Sequence, residues 1–503
     1  MNRIRSVVLV LVILGLFLPV MVTTGDAKVQ RDKIKIGALG PLAITPGKDM
    51  KKGAELAVQE INDGAGVDIG GTAYDLELIV ETTSHETTGL PDANTAVPNV
   101  IKLQDQDEVV AMLGLFRTEV TMAVQAELDR PFLGVGSTAP IINPYFWRLS
   151  PSNGTMLTTS LLELYGIGLY GMGVRNVTIV REDALWSLAM RGSIVEYLNK
   201  FFPSVGYMPG PINFTNDVKL AEGATYATVE SALTPIKSKL DGLNVNAIMT
   251  IFSGPAGKHI TEAWAALNMT QYLAGINVEA QSSTHFAETG GAAYGEITLM
   301  GFPPDYNQTT KSGPFRQAFY DEYGELPTYT AAASYDAVYV IKDAIERADA
   351  TTPTAIQTAL TTTDYLGAQY KVKFTSEPNV FTHYYWGYPF GQVTYADNGS
   401  RILIPNVPTN LTVHEIFTPG GYGASGGDYI STYWVQWQQN GTQKTILGDK
   451  PGVNITTDIE WPINHAEHGY TEPAKTPGFE SSVALFVLAN MAMIVHLRKR
   501  KKR

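Results

Sequence analysis

From Lys33 onward, short apolar runs alternate with segments whose apolar residues recur at helical spacing, and this alternation constrains the fold more than any other feature of the chain. Residues 33–39 read as a strand that stops at Gly40-Pro41. Residues 50–62 then place Ala54, Ala57, Val58 and Ile61 on one helical face. Next come a strand at 76–80, a helix around 93–103, a strand at 109–113, a helix at 119–128 and a strand at 131–135. Pro98 lies inside the second helix, which is expected to kink there or to start late. Repeated strand–helix units of this kind build a parallel sheet covered by helices on both faces.

The rhythm resumes after Ser150 with strands at 176–180, 247–251 and 297–302. Helices are expected at 188–200, 227–240, 258–267 and 332–348, the second of them kinked at Pro235. A chain of 503 residues exceeds what one compact core usually holds. The expected fold is therefore α/β: two doubly wound parallel-sheet lobes joined by a hinge of crossing segments, with no internal sequence repeat. Beyond about residue 370 the chain turns β-like. Residues 417–429 contain five glycines and read as a loop, and 431–438 read as a strand with Tyr433, Val435 and Trp437 on one face.

The two ends point to export. Arg3 and Arg5 precede an apolar run at 7–22, followed by Thr23, Thr24, Gly25 and Ala27, which is the pattern of a signal peptide over residues 1–27. An uncleaved membrane anchor is the alternative. At the other end a stalk at 471–480, containing Pro477-Gly478-Phe479, leads to the mostly apolar run 481–497 and a basic tail at 498–503. Seventeen residues is the short limit for a transmembrane helix, and the basic tail is expected on the cytoplasmic side. This end resembles the archaeal sorting signal of Pro-Gly-Phe, apolar helix and basic tail. That resemblance implies recognition by an archaeosortase and exchange of the tail for a lipid. The chain carries a net charge of −12; the leader contributes +1 and the tail +6, so the body between them carries −19. So acidic a body argues against nucleic acid or anionic lipid as its main partner. Nine N-glycosylation sequons begin at Asn153, Asn176, Asn213, Asn268, Asn307, Asn398, Asn410, Asn440 and Asn454, which fits an exported glycoprotein on the outer face of the membrane.

Catalytic signals are weak. There is no cysteine, which removes thiol nucleophiles, disulfides and cysteine metal sites. Gly166, Gly168 and Gly171 have dinucleotide-fingerprint spacing, but they end a helical stretch rather than open one, so a helix stop and a turn is the better reading. His465, Glu467 and His468 lie near Glu460 without the i, i+4 spacing of a helical zinc site and read as a solvated segment. No nucleophile elbow, Walker loop or zinc-protease motif occurs. No cofactor is expected, and the chain is not read as an enzyme.

Five stretches in order carry a specific resemblance: residues 36–42 with Gly47, Gly53 to Val58 and Ile61-Asn62; Val110 to Gly114; Gly136 to Pro140 within 131–140; Trp147 to Ser152; and Ser334 to Tyr339. Together they resemble the branched-chain amino-acid-binding branch of the type I periplasmic-binding proteins, the solute receptors of ABC importers, over roughly residues 33–394. The resemblance implies lobe 1 from 33–150 and 301–370, and lobe 2 from 151–300 and 371–470, the last part carrying a β-rich extension. It also implies a small polar ligand (an amino acid or related carboxylate or amide) held between the lobes, and permease and ATPase subunits as partners.

Open parallel sheets bind ligands beyond the carboxyl ends of their strands. Thr118 follows the strand at 109–113, and Ser137 and Thr138 follow that at 131–135. Hydroxyls and backbone N–H groups at such points suit a carboxylate, although Ser and Thr also simply cap helices. The resemblance places Trp186, Phe252 and Ser253 on the facing lobe. At Asn277 it places an amide where amino-acid-binding members carry an acid for the ligand ammonium, a departure that weighs against an α-amino acid; Glu279 stands two residues on. Arg117 reads either as a partner for an anion or as a surface charge. A ligand-sensing ectodomain working with a membrane partner is the rival function, and a surface hydrolase the third.

Overall fold

A computed structural model describes residues 31–137, 139, 143–149, 161, 164–201, 203, 210–242, 246–374, 393–395, 401–403 and 433–447. The expected signal peptide, stalk, apolar C-terminal run and basic tail lie outside these residues, as do the 417–429 loop, His465, Glu467 and His468. No helix among the described residues is long and apolar enough to cross a membrane, and no group of His, Asp or Glu there could hold a metal ion.

The first sheet contains β1 (Lys33–Gly40), β2 (Val67–Ile69), β3 (Thr72–Thr82), β4 (Ala111–Phe116), β5 (Phe132–Gly136) and β6 (Phe146–Arg148), in the order β2-β3-β1-β4-β5-β6. All neighbours are parallel except the β2–β3 hairpin, whose tight turn uses Gly70 and Gly71 at positive φ. Strands β4, β5 and β6 are buried throughout, which explains their unbroken apolar runs.

Helices α1 (Thr45–Asp63), α2 (Ala93–Asp105) and α3 (Thr118–Gln125) connect these strands. Helix α2 does not start late: Asp92 caps it by accepting from Thr95 N at 3.0 Å, and it continues through Pro98. Helix α1 packs along the helix expected at 332–348, which begins earlier, at Tyr329–Ala348. Their crossing is so close that a Cβ at Gly53 would lie 2.0 Å from the Ala331 carbonyl oxygen. The chain segment after residue 300 thus returns to the first lobe.

The second sheet has seven strands, five of them parallel neighbours and two added antiparallel at one edge. Its parallel strands are β7 (Asn176–Glu182), β8 (Asn213–Leu220), β9 (Ala247–Phe252), β10 (Tyr272–Asn277) and β11 (Ile297–Met300). Two short hairpins, β12 (Asp364–Leu366) with β13 (Lys371–Lys373) and β14 (Val393–Tyr395) with β15 (Arg401–Leu403), lie outside both large sheets. Then β16 (Tyr433–Trp437) and β17 (Gln443–Leu447) extend the second sheet antiparallel from β11. The distant β-rich segment therefore supplies an edge to lobe 2. Helices α4 (Leu185–Glu196), α5 (Tyr226–Gly242) and α6 (Ala256–Ala266) cover this sheet. Gly166 and Gly168 fall within a π-helical stretch, Leu164–Leu169, that leads to β7, and Gly171 is exposed just after it; this is a helix end and not a phosphate loop.

The crossing between lobes is tied down by polar contacts, one of them fully buried. Trp147 Nε1 donates to Gln357 Oε1 at 2.8 Å, and the Tyr370 hydroxyl donates to the Leu149 carbonyl. Of the sequon asparagines among the described residues, Asn213, Asn268, Asn307 and Asn440 are exposed and Asn176 is half-buried.

Candidate functional site

In each sheet the strand order reverses direction at one place. In lobe 1 the chain goes from β1 out to β3 and returns to the other side of β1 as β4. In lobe 2 it goes from β7 to β8 and returns as β9. At such a point the connecting helices leave on opposite faces, and a crevice opens beyond the carboxyl ends of the two central strands. The residues that end β1 and β4, and those that end β7 and β9, are therefore the residues the topology offers to a ligand, and the end of β5 lies beside that of β4.

The end of β4 and the residue after it depart from ordinary backbone geometry at three positions: Gly114, Leu115 and Arg117 have φ of 125°, 67° and 74°. Positive φ at a non-glycine residue costs free energy and recurs at functional loops. Arg117 precedes the first turn of α3, and its carbonyl accepts from Thr121 N at 3.0 Å and Thr121 Oγ1 at 2.7 Å. Thr118 begins the helix and is 7% exposed. Ser137 Oγ donates to the same Arg117 carbonyl at 3.2 Å and accepts from Ala139 N at 3.1 Å, so it staples the two loops together. Thr138 lies outside the described residues. Sequence reasoning missed Arg148. Its buried guanidinium donates to the Ser137 carbonyl at 2.5 Å and also to the Ala139 carbonyl, shaping the second loop from beneath.

On lobe 2 the organising group is Glu182, the last residue of β7, which the sequence reading did not single out. Its carboxylate is fully buried. Oε2 accepts from Ser253 N at 2.9 Å and Gly254 N at 3.2 Å, while Oε1 accepts from Ser253 Oγ at 2.5 Å and from the Trp186 indole N–H. Ser253 and Trp186 thus meet where the topology places them, though both face a protein carboxylate. The signal available beforehand was an acid at the carboxyl end of a strand.

Two expected ligand contacts sit elsewhere. Phe252 is wholly buried and packs with Val180, Leu233, Ile260 and Leu273 in the core on the helix side of the sheet. Side chains alternate faces along a strand, so the end residue of β9 points into the core while the next residue reaches the crevice. Asn277 is also fully buried. Its Nδ2 donates to Glu296 Oε1 at 2.7 Å and to the Gly257 carbonyl at 2.9 Å, within a network that includes Thr261 and His285. That amide locks β10 to the start of α6.

The lobes touch across the crevice. Arg117 is not a surface charge: its side chain has no exposed area. Its guanidinium ion-pairs with Glu222 and lies 3.7 Å from Glu182 Oε2, both on lobe 2, and 3.7 Å from Glu119. Burial opposes the arginine charge, but Glu182, Glu222 and Glu119 outweigh it and hold its pKa above the ordinary value. Burial pushes the Glu222 carboxyl up despite the neighbouring arginine. Thr45 Oγ1 donates to Glu279 Oε2 at 3.1 Å, a second cross-lobe contact, and burial raises the Glu279 carboxyl as well. Leu326 N donates to Ser283 Oγ at 3.1 Å, a third.

The periplasmic binding protein family matches this chain over residues 33–394, most of its length. The chain belongs to that family. Among curated proteins none matches. Solved structures share the fold of this periplasmic binding protein at low identity. The branched-chain amino acid transporter substrate binding protein LivJ from Streptococcus pneumoniae, in complex with isoleucine, is 17% identical with a TM-score of 0.60; the match covers 83% of this chain and 99% of that one. The leucine-binding protein LivK from Thermotoga maritima is 17% identical with a TM-score of 0.58, covering 83% and 99%. A solute-binding protein of an ABC transporter from R. palustris, in complex with benzoate, is 16% identical with a TM-score of 0.58, covering 84% and 98%.

Proposed function

We propose that this periplasmic binding protein captures a small polar ligand bearing a carboxylate or amide in the crevice between its lobes and delivers it to the permease and ATPase subunits of an ABC importer. The observation that carries this reading is the meeting of two topological switch points. The loop after β4 on one lobe faces those after β7 and β9 on the other, with Arg117 in reach of Glu182 and of the Gly254 backbone across the gap. On this reading Thr118 and the loop shaped by Ser137 and Thr138 receive the ligand's carboxylate, while Ser253 and the Trp186 edge close from lobe 2. The solved relatives named above hold an aliphatic amino acid and an aromatic carboxylate, and this pair sets the first panel to try. We also propose that the body lies outside the cell, exported by residues 1–27 and held at the membrane through 481–503, with glycans on some of the exposed sequons.

Calorimetry on the full-length protein with aliphatic amino acids and benzoates tests the reading. Once a ligand gives heat, Thr118→Ala is expected to weaken it roughly tenfold to a hundredfold, the loss of one hydrogen bond to a charged group. Unchanged affinity in a variant of native melting temperature would move the carboxylate site elsewhere. Trp186→Ala is expected to weaken binding too, and it needs a parallel melt because the ring is only 8% exposed.

A further inference from the structure

Arg117 belongs to lobe 1 by its backbone and to lobe 2 by its charge. Its carbonyl is fixed by Thr121 and Ser137, both of lobe 1. Its guanidinium is buried against Glu182 and Glu222, both of lobe 2. It also lies against the Gly254 backbone, where a Cβ would come within 3.0 Å of Nη2. No other cation among the described residues forms an ion pair with Glu182 or Glu222. We infer that Arg117 is a latch that holds the two lobes together in the absence of ligand, so that closure does not depend on ligand alone.

The contact has the character of a latch rather than of a permanent staple. The guanidinium pairs with one Glu222 oxygen through Nη1 while Glu182 Oε2 stands 3.7 Å from Nη2, so the attraction is between charges spread over two carboxylates and lacks the geometry of a locked fork. Glu222 keeps 21% of its side chain exposed, which lets water replace the arginine as the lobes part. Glu182 does not need Arg117 to stay satisfied, because Ser253, Gly254 and Trp186 supply its hydrogen bonds. Opening therefore leaves lobe 2 intact and returns the arginine to solvent. The inference rests on the two-lobe capture reading, but its test requires no ligand.

The chain has no cysteine, so Asn94→Cys on lobe 1 and Ser231→Cys on lobe 2, both exposed, accept spin labels only at those positions. Pulsed dipolar spectroscopy on the ligand-free full-length protein should show mainly the short, closed separation. Arg117→Gln should raise the open-to-closed ratio at least about tenfold, and Glu222→Gln, approached from the other lobe, should do the same. The double variant should open no further than the more open single. Closed distributions in both single variants would overturn the latch, and Glu222→Gln decides alone if Arg117→Gln fails to fold. A wild type already open without ligand would also overturn it; if ligand then closed that protein, capture between the lobes would stand without the latch. A separation that no ligand and no variant changes would count against both.

Discussion

Replacing Glu182 by Gln keeps the shape of the side chain and removes its charge. One carboxylate there accepts from two backbone N–H groups, one hydroxyl and one indole N–H, and stands 3.7 Å from a buried guanidinium. The amide can accept on one side only. Its NH2 must face either the Ser253 and Gly254 N–H groups, which then lose their acceptor, or the Ser253 hydroxyl and the indole, where the hydroxyl can turn to accept but the indole N–H cannot. Each charge-assisted bond contributes roughly 1.5–3 kcal/mol, and breaking a buried pair costs about 3–5 kcal/mol in all. For a lobe of about 200 residues, an unfolding entropy near 2.1 cal/mol/K per residue converts this to a fall in melting temperature of about 7–12 °C. Circular dichroism melts of the full-length protein and Glu182→Gln measure it directly. A fall of less than about 2 °C would show that the donors around Glu182 do not require a carboxylate, and the account of how lobe 2 organises the crevice would fail.

Two buried carboxyls give a pH prediction of unusual sign. Burial, opposed by the Thr328 hydrogen bond, raises Asp49 to about 6; burial, opposed by the Ala368 and Gln369 N–H groups, raises Asp336 to about 7. Because both bind protons more tightly when folded, their stabilisation is complete below about pH 4 and is lost as pH rises through 6 and 7, by up to about 1.4 kcal/mol per pH unit for each group. Melting temperature between about pH 4.5 and 7.5 should fall in the wild type relative to Asp49→Asn/Asp336→Asn; parallel curves would refute it. Gly53→Ala should destabilise by about 1–3 kcal/mol, read as a lower denaturant midpoint, because a Cβ would strike the Ala331 carbonyl where α1 crosses the Tyr329–Ala348 helix. A midpoint equal to wild type would mean the two helices can separate freely.

Local pattern was enough to expect a doubly wound α/β chain. Strands β4, β5 and β9 are buried and mostly apolar, and α1 shows its apolar face at Met50, Ala54, Ala57 and Ile61. These signals act over a few residues, so sequence spacing carries them. The strand end that bears Thr118 was legible for the same reason, since topology places ligands beyond such ends. Strand β8 was not foreseen, because Asn213–Leu220 carries charged and polar residues on an edge that needs little burial. Nor was the use of β16 and β17 as the edge of the second sheet, since pairing between Ile297 and Gln436 is a long-range choice with no local mark.

The side-chain roles at the crevice were decided by tertiary structure. Whether Phe252 or Ser253 reaches the gap depends on which face of β9 the helices cover, and whether Arg117 meets water or two carboxylates depends on the approach of the other lobe. Composition and periodicity specify which groups are apolar and how they repeat. Only the folded arrangement sets which charges share a low-dielectric space, and there a guanidinium and the end of a distant strand become one structure.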